Sequence, residues 1–231
     1  MVKKYTPVLI VLLLSTLYSC KKAQYEYPGD LAKTTSAPAD TSKGYAPVTT
    51  NSYIKYRIVT GTKVDTTTNT ATGTTTTINN KIYNVVAISS LTYGTSAGYY
   101  SNINHVYTAR AVDAPSGVTL ELEYLVDNLG VGATWKAPVT DNGFIKGYPA
   151  QILGAITEKN INKTVSGIPF SYVTHTTLQL QYDVGGGFIT LGSFEYYIAK
   201  GIGIIEIDSS LVIPGNAITN SISSIIAYNI K

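Results

Sequence analysis

Apolar and polar residues alternate one by one along Thr119-Leu120-Glu121-Leu122-Glu123-Tyr124-Leu125 and again along Thr177-Leu178-Gln179-Leu180-Gln181-Tyr182. Successive side chains of a strand point to opposite faces, so this period puts Leu and Tyr on one face and Glu, Gln and Thr on the other. The pattern is that of half-buried antiparallel strands. Further strands are expected at Tyr53–Val59, Ile82–Ser89, His105–Val112, Gln151–Thr157, Phe188–Tyr197, Gly203–Ile207 and Ile222–Ile230. Turn chemistry separates them at Ala114-Pro115-Ser116-Gly117, Asp127-Asn128-Leu129-Gly130, Asp183-Val184-Gly185-Gly186-Gly187 and Ile213-Pro214-Gly215-Asn216. No long stretch has the 3.6-residue period of an amphipathic helix, so the fold class is all-β; the one region open to a short helix is 91–104. The run Val64 to Thr77, nine of whose residues are Thr, reads as a long polar loop or hairpin between the first two strands. Within it, Asp65-Thr66-Thr67 resembles the O-glycosylation acceptor of some Bacteroidetes-type bacteria.

The chain begins differently. Lys3 and Lys4 precede an apolar stretch from Val8 to Leu17, and Leu17-Tyr18-Ser19-Cys20 ends in the single cysteine of the 231-residue sequence. The stretch is too short to span a bilayer as a mature helix and has the layout of an export signal, assigned to residues 1–19. In outline it resembles a lipobox, which implies an acylated Cys20 as the mature N-terminus and a membrane partner through that anchor. Lys21 stands where an aspartate would resemble an inner-membrane retention signal, so the outer membrane is expected. The sequence does not choose between its periplasmic and cell-surface faces. Residues 20–45, rich in Pro, Ser, Thr, Ala and charge, read as the lipidated Cys and a flexible tether, and 46–231 as one antiparallel β domain. Loss of Lys3 and Lys4 with the signal lowers the formal net charge of +3 by two. No basic cluster remains, which excludes electrostatic capture of nucleic acid.

Three segments resemble an uncharacterised family of Bacteroidetes-type lipoproteins, the group labelled TapB-like. The first is Pro47-Val48-Thr49-Thr50-Asn51-Ser52-Tyr53-Ile54-Lys55-Tyr56, with Asn51 where the family usually has Gly. The second is Val131-Gly132-Ala133-Thr134-Trp135 together with Thr164-Val165-Ser166-Gly167-Ile168-Pro169-Phe170. The third, Glu195-Tyr196-Tyr197-Ile198-Ala199-Lys200-Gly201-Ile202-Gly203-Ile204-Ile205-Glu206, is similar to the signature YYAKGVGLV with Ile198 as an extra residue. The resemblance implies an antiparallel sheet curved into a half-barrel, similar to periplasmic lipoprotein carriers; a β-sandwich is the alternative. On chemistry alone, Gly201 and Gly203 suit a bend between two strands.

No motif carries catalysis. His105 and His175 lack the paired ligands of a metal site. Gly94-Thr95-Ser96-Ala97-Gly98 matches the spacing of a nucleophile elbow, with His175 as a candidate base, but no helix pattern follows it, so an ordinary loop is expected. Glu121 and Glu123 are neighbours on one strand face and read as solvated carboxylates. The expectation is a non-enzyme without cofactor or metal. Tyr is unusually abundant, at 19 residues against 4 Phe and 1 Trp, and its apolar ring with a polar tip suits a binding surface as well as a strand. Tyr124, Trp135, Tyr182, Tyr196, Tyr197 and Lys200 are therefore the candidate ligand-binding residues. Two functions follow: a binding module that holds an apolar ligand such as an acyl chain on its concave face, and an interaction lipoprotein that docks an envelope protein or glycan. A cavity lined by apolar side chains favours the first, and a filled core with surface aromatics the second.

Overall fold

The computed structural model describes residues 40–46, 48–112, 119–212 and 218–231. The export signal, Cys20, the tether as far as residue 39, Pro47 and the two turns at 114–117 and 213–216 lie outside them. After a 3-10 turn at Thr41–Lys43 come β1 (Tyr53–Thr60), β2 (Lys63–Ile78), β3 (Lys81–Ser90), β4 (Gly94–Ile103) and β5 (Val106–Val112). Then follow β6 (Thr119–Val126), β7 (Thr134–Pro138), β8 (Phe144–Ile145) and β9 (Tyr148–Val165). The chain ends with β10 (Ile168–Asp183), β11 (Phe188–Ala199), β12 (Gly203–Leu211) and β13 (Thr219–Asn229). All pairings are antiparallel, in the order β6-β5-β4-β3-β2-β1-β13-β12-β11-β10-β9-β7, with β8 beside β9. The fold is a curled antiparallel sheet forming a half-barrel, one continuous sheet rather than the two stacked sheets of a sandwich.

Local chemistry explains where the strands depart from the expected ones. The Thr-rich run is β2, not a loop, because β-branched threonine is comfortable in a pleated strand whatever its polarity. It bends at Gly73, whose φ is +78° and where the register with β3 shifts between Ala71 and Thr75. A Cβ at Gly73 would lie 2.1 Å from Thr50 Oγ1, so the bend seats the incoming loop. Residues 91–104 hold β4 instead of a helix, and the segment Gly94–Gly98 is part of that strand rather than a loop. His105 is not in a strand: with Asn104 it forms the β4–β5 turn, both at positive φ. Bulges interrupt the ladders at Lys55/Tyr56, Tyr107/Thr108, Leu180/Gln181 and Tyr197/Ile198. Each adds local bend and twist, which is what lets so long a sheet roll up.

Rolling brings the two edge strands together. Glu121 N donates to Val139 O at 2.9 Å, Trp135 Nε1 to Glu123 O at 3.2 Å and Thr176 Oγ1 to Tyr124 O at 2.8 Å. The exposed edge of β6 is thus satisfied by side chains and by the chain that follows β7, and not by a β ladder. The inward faces of β6, β9, β10 and β11 meet in one core, with Leu122, Tyr124, Ile152, Ile156, Leu178, Leu180, Phe194 and Tyr196 all buried. A second core joins the far ends of β9 and β10 to Tyr56, Ala199, Ile202, Ile205 and Ile225.

Trp135 closes the roll by lying over Gly154, where a Cβ would meet the indole at 2.2 Å. We expect Gly154→Ala to push the indole off and to cost about 1–3 kcal/mol of stability. As Trp135 is the sole tryptophan, its emission should shift to the red in the folded variant, and urea unfolding followed by fluorescence checks both effects.

Candidate functional site

The roll has two ends. One carries Tyr53 of β1, Ala199 of β11, Gly203 of β12 and Asn229 of β13; the other carries Thr60, Phe188, Leu211 and Thr219. Residues 40–46, of which 40–45 were read from composition as tether, pack at the first end. Asp40 caps the 3-10 turn by accepting from Ser42 N at 3.1 Å. Gly44 O accepts from Gly201 N at 2.5 Å, and the phenol of Tyr45 is buried in the main core. The Gly201–Gly203 bend is therefore a strand connection, as expected, and also a seat: a Cβ on Gly201 would lie 2.4 Å from Asp40 O. Nothing local marks Tyr45 as part of the folded body, since Tyr25 and Tyr27 lie in the same polar stretch.

Tyr45 starts a run of rings through the interior. Its centroid lies 5.9 Å from Tyr107, edge to face; Tyr107 is 6.3 Å from Tyr124, Tyr124 stacks on Tyr196 at 5.8 Å, and Tyr196 is 6.4 Å from Phe194. Burial pushes the hydroxyls of Tyr56, Tyr124 and Tyr196 well up from the ordinary tyrosine value, and that of Tyr107 up to about 12, with Asp127 adding to the effect. All four are neutral across the physiological range. Beside this run is a cavity of about 60 Å³, bordered by Tyr45, Tyr56, Asn69, Tyr100, Tyr124 and Ile204 among others.

Of the residues singled out from sequence, only Tyr124 and Tyr196 meet here. Trp135 is in the edge closure. Tyr182, half-buried, lies edge to face with Tyr148 at 6.2 Å near the second end. Tyr197 is on the outer face, stacked on His175 at 4.2 Å, with Lys163 Nζ 3.5 Å from its ring centroid. Lys200 sits in the β11–β12 turn, its backbone N–H bonded to Tyr172 O. Ser96 and His175 form no nucleophile–base pair: Ser96 is mid-strand opposite Ile88, and His175 contacts Glu158 at 3.0 Å and Glu195 at 2.6 Å.

Glu121 is not simply solvated. It is bonded by Lys81 at 2.7 Å, by Tyr83 and by Arg110 at 3.3 Å, while Arg110 forks onto Asp141 at 2.5 and 2.8 Å. Burial would raise the Glu121 carboxyl, but the bonds from Lys81, Tyr83 and Arg110 outweigh it and hold it below its ordinary value. The bond from Arg110 likewise holds Asp141 down. No sequence pattern marks this cluster, whose members are spread over three strands and a loop.

Near the second end the inward rows of β9, β10 and β11 run out into the open. Tyr148, Tyr182 and Ile189 continue the rows of Ile152, Leu180 and Phe194, and register sets Ile189 beside Tyr182 and Phe188 beside Asp183. Phe144 and Tyr148 are 46% and 47% exposed, Phe188 and Ile189 45% and 46%, and Val184 in the intervening turn 52%. All five side chains are uncovered among the described residues and ring this end, Tyr148 and Ile189 on the inward face and Phe144 and Phe188, by strand parity, on the other.

In comparisons with known proteins, no family model matches the chain and no curated protein matches it. Among solved structures it is similar to a Bacteroides fragilis chain described as an exported protein with YmcC-like fold, at 10% identity and a TM-score of 0.48. It is also similar to a chain described as a lipoprotein from Parabacteroides distasonis, at 7% identity and a TM-score of 0.46. Each likeness covers 80% of this chain and 99% of the other. At these values it carries no argument about function.

Two pH effects of opposite sign are expected. Glu121 and Asp141 have lowered folded pKa values, so their contribution is full above the ordinary carboxylate range and is lost as pH falls through the folded values. Arg110→Met should cost about 2 kcal/mol at neutral pH, with Asp141 half exposed, and the deficit should shrink below about pH 4. Asp208 behaves the other way. Its folded pKa is raised by burial, with Glu206 adding to the effect, so folding favours the protonated form, an advantage lost as pH rises through the folded value. Asp208→Asn should stabilise at neutral pH and be neutral at pH 3. Urea titrations across pH measure both.

Proposed function

We propose that this chain is an outer-membrane lipoprotein, anchored through Cys20, that acts without catalysis by docking an envelope protein on the apolar end of its half-barrel. The observation that carries this reading is the exposed patch of Phe144, Tyr148, Val184, Phe188 and Ile189 at the end opposite the N-terminal entry. Twelve residues of β11 at about 3.3 Å each put the two ends roughly 40 Å apart. An anchored N-terminus and a binding patch at opposite ends suit a domain held out from a surface. Clustered exposed apolar side chains on a soluble face mark interaction sites.

Carriage of an acyl chain fits less well, since a ligand pocket usually measures about 300–1,000 Å³ and the interior cavity is about 60 Å³. The interior is occupied by the chain's own rings. Between protein and glycan, the patch favours protein: of its five side chains only Tyr148 carries a hydrogen-bond group for sugar hydroxyls.

A photo-reactive residue at 188 should cross-link the full chain, in its native envelope, to one protein that a probe at exposed Ile222 does not reach. Ile189→Ser with Phe144→Ser should abolish that product while leaving the unfolding midpoint within about 0.5 kcal/mol. Equal products from 188 and 222, or capture of polysaccharide alone, would overturn the protein-docking reading. The anchor is checked separately: metabolic palmitate labelling should vanish in Cys20→Ser.

A further inference from the structure

The segment 40–46 has an unusual status. It enters no ladder with the sheet, yet it delivers a buried aromatic ring to the core. Its hydrogen bonds are few: Gly201 N to Gly44 O, Lys43 Nζ to the carbonyl of Lys231, Thr174 Oγ1 to Tyr45 OH at 3.3 Å, and the Tyr45 backbone to the Tyr107 hydroxyl. The cavity lies against this segment, which supplies Tyr45 and Ala46 to its wall. The remaining wall is Tyr, Ile, Val, Ala, Ser, Gly and Asn, with no charged side chain. One polar atom in that wall is unsatisfied: Asn69 Oδ1 is buried and has no hydrogen-bond partner among the described residues. A buried acceptor without a donor costs about 1–3 kcal/mol, so a ligand that donates to it gains what the empty site forfeits.

We propose that residues 40–46 form a displaceable strap, and that the space beneath it, with the Tyr45 ring withdrawn, binds a small neutral aromatic molecule that donates one hydrogen bond to Asn69. Three features select that chemistry. The rings of Tyr56, Tyr100 and Tyr124 offer faces and edges to another ring, as Tyr107 does to Tyr45 in the closed state. The absence of a charged wall residue disfavours an ion. Asn69 Oδ1 asks for a hydroxyl or N–H. The strap and the ligand compete for one volume. Because the strap joins the body directly to the sequence leading back to Cys20, occupancy of the site would alter how the domain is attached to its tether. This site lies at the opposite end from the docking patch and stands or falls independently of it.

The probe is p-cresol, the side-chain analogue of tyrosine, titrated into the purified full chain. The Gly201 amide is followed by hydrogen exchange. In the unmodified chain that amide should exchange about 100-fold faster than those of the flanking β11–β12 ladder, since its bond to Gly44 opens with the strap and not with the sheet. Saturating p-cresol should speed it further. Tyr45→Ala should bind p-cresol at least tenfold more tightly, because the competitor is gone, and adding Asn69→Ala should weaken binding roughly tenfold, as for one hydrogen bond. Binding to Tyr45→Ala without any effect on Gly201 exchange in the unmodified chain would mean an engineered hole only, and would overturn the proposal. So would Gly201 exchanging with the ladder, a result that stands even if Tyr45→Ala does not fold.

Discussion

An antiparallel sheet of this length has two edges, and the rest of the molecule depends on how they are closed. Each edge presents unpaired N–H and C=O groups that must find water, a partner or a cover. Here the roll carries β6 back over the inward face of β9 and β10, and its edge groups are met by Val139, Trp135 and Thr176 rather than by a neighbouring strand. Each such bond contributes only about 1 kcal/mol, but together they define one register between strands that are far apart in sequence. The core exists because of that register: Tyr124 stacks on Tyr196 only when β6 lies across β11. Arg110 is buried for the same reason: the β5–β6 ladder already sets it opposite Glu121, and closure brings Asp141 to it.

Filling the roll with tyrosine has a physical logic. A half-barrel is never far from polar groups, so an interior side chain gains from an apolar ring that ends in a hydroxyl. Tyr56 donates to Ile204 O at 2.7 Å, Tyr107 to Asp127 at 3.1 Å and Tyr83 to Glu121. Phenylalanine would take one donor from each of those acceptors, although Glu121 would keep Lys81 and Arg110. The exposed end shows the converse. There Phe144, Phe188 and Ile189 are exposed among the described residues, and no hydroxyl is needed to serve a polar neighbour inside the fold.

The strands were legible because burial on one face imposes period two on the residues, as along β6 and β10. Two were not. In β2 both faces carry threonine, so alternation vanishes although the backbone preference remains, and low complexity reads as a loop or hairpin between strands rather than as a strand of its own. In β4 glycine, serine and alanine at 94–98 are loop-like one at a time, yet they pair in register with Ser90 to Val86 of β3. The glycines at 201 and 203 were readable as a bend, but their second duty depends on Asp40, some 160 residues away in sequence. Of the candidate binding residues, Tyr124 and Tyr196 could be named from the pattern. Their meeting could not, because a parity rule gives the face of a strand and not which strand lies opposite.

By itself the sequence determined the all-β class and the inward face of most strands. These are properties of consecutive residues: hydropathy, β-branching and the two-residue repeat of the strand. Only the tertiary structure decided that the sheet rolls until its edges meet, that residues 40–46 belong to the body, and that Arg110 is buried among carboxylates. It also decided that the interior is filled with rings while the far end stays apolar and open. Each of these rests on contacts between strands distant in sequence, set by bulges and edge closure, and no local pattern encodes which distant partner a side chain will meet.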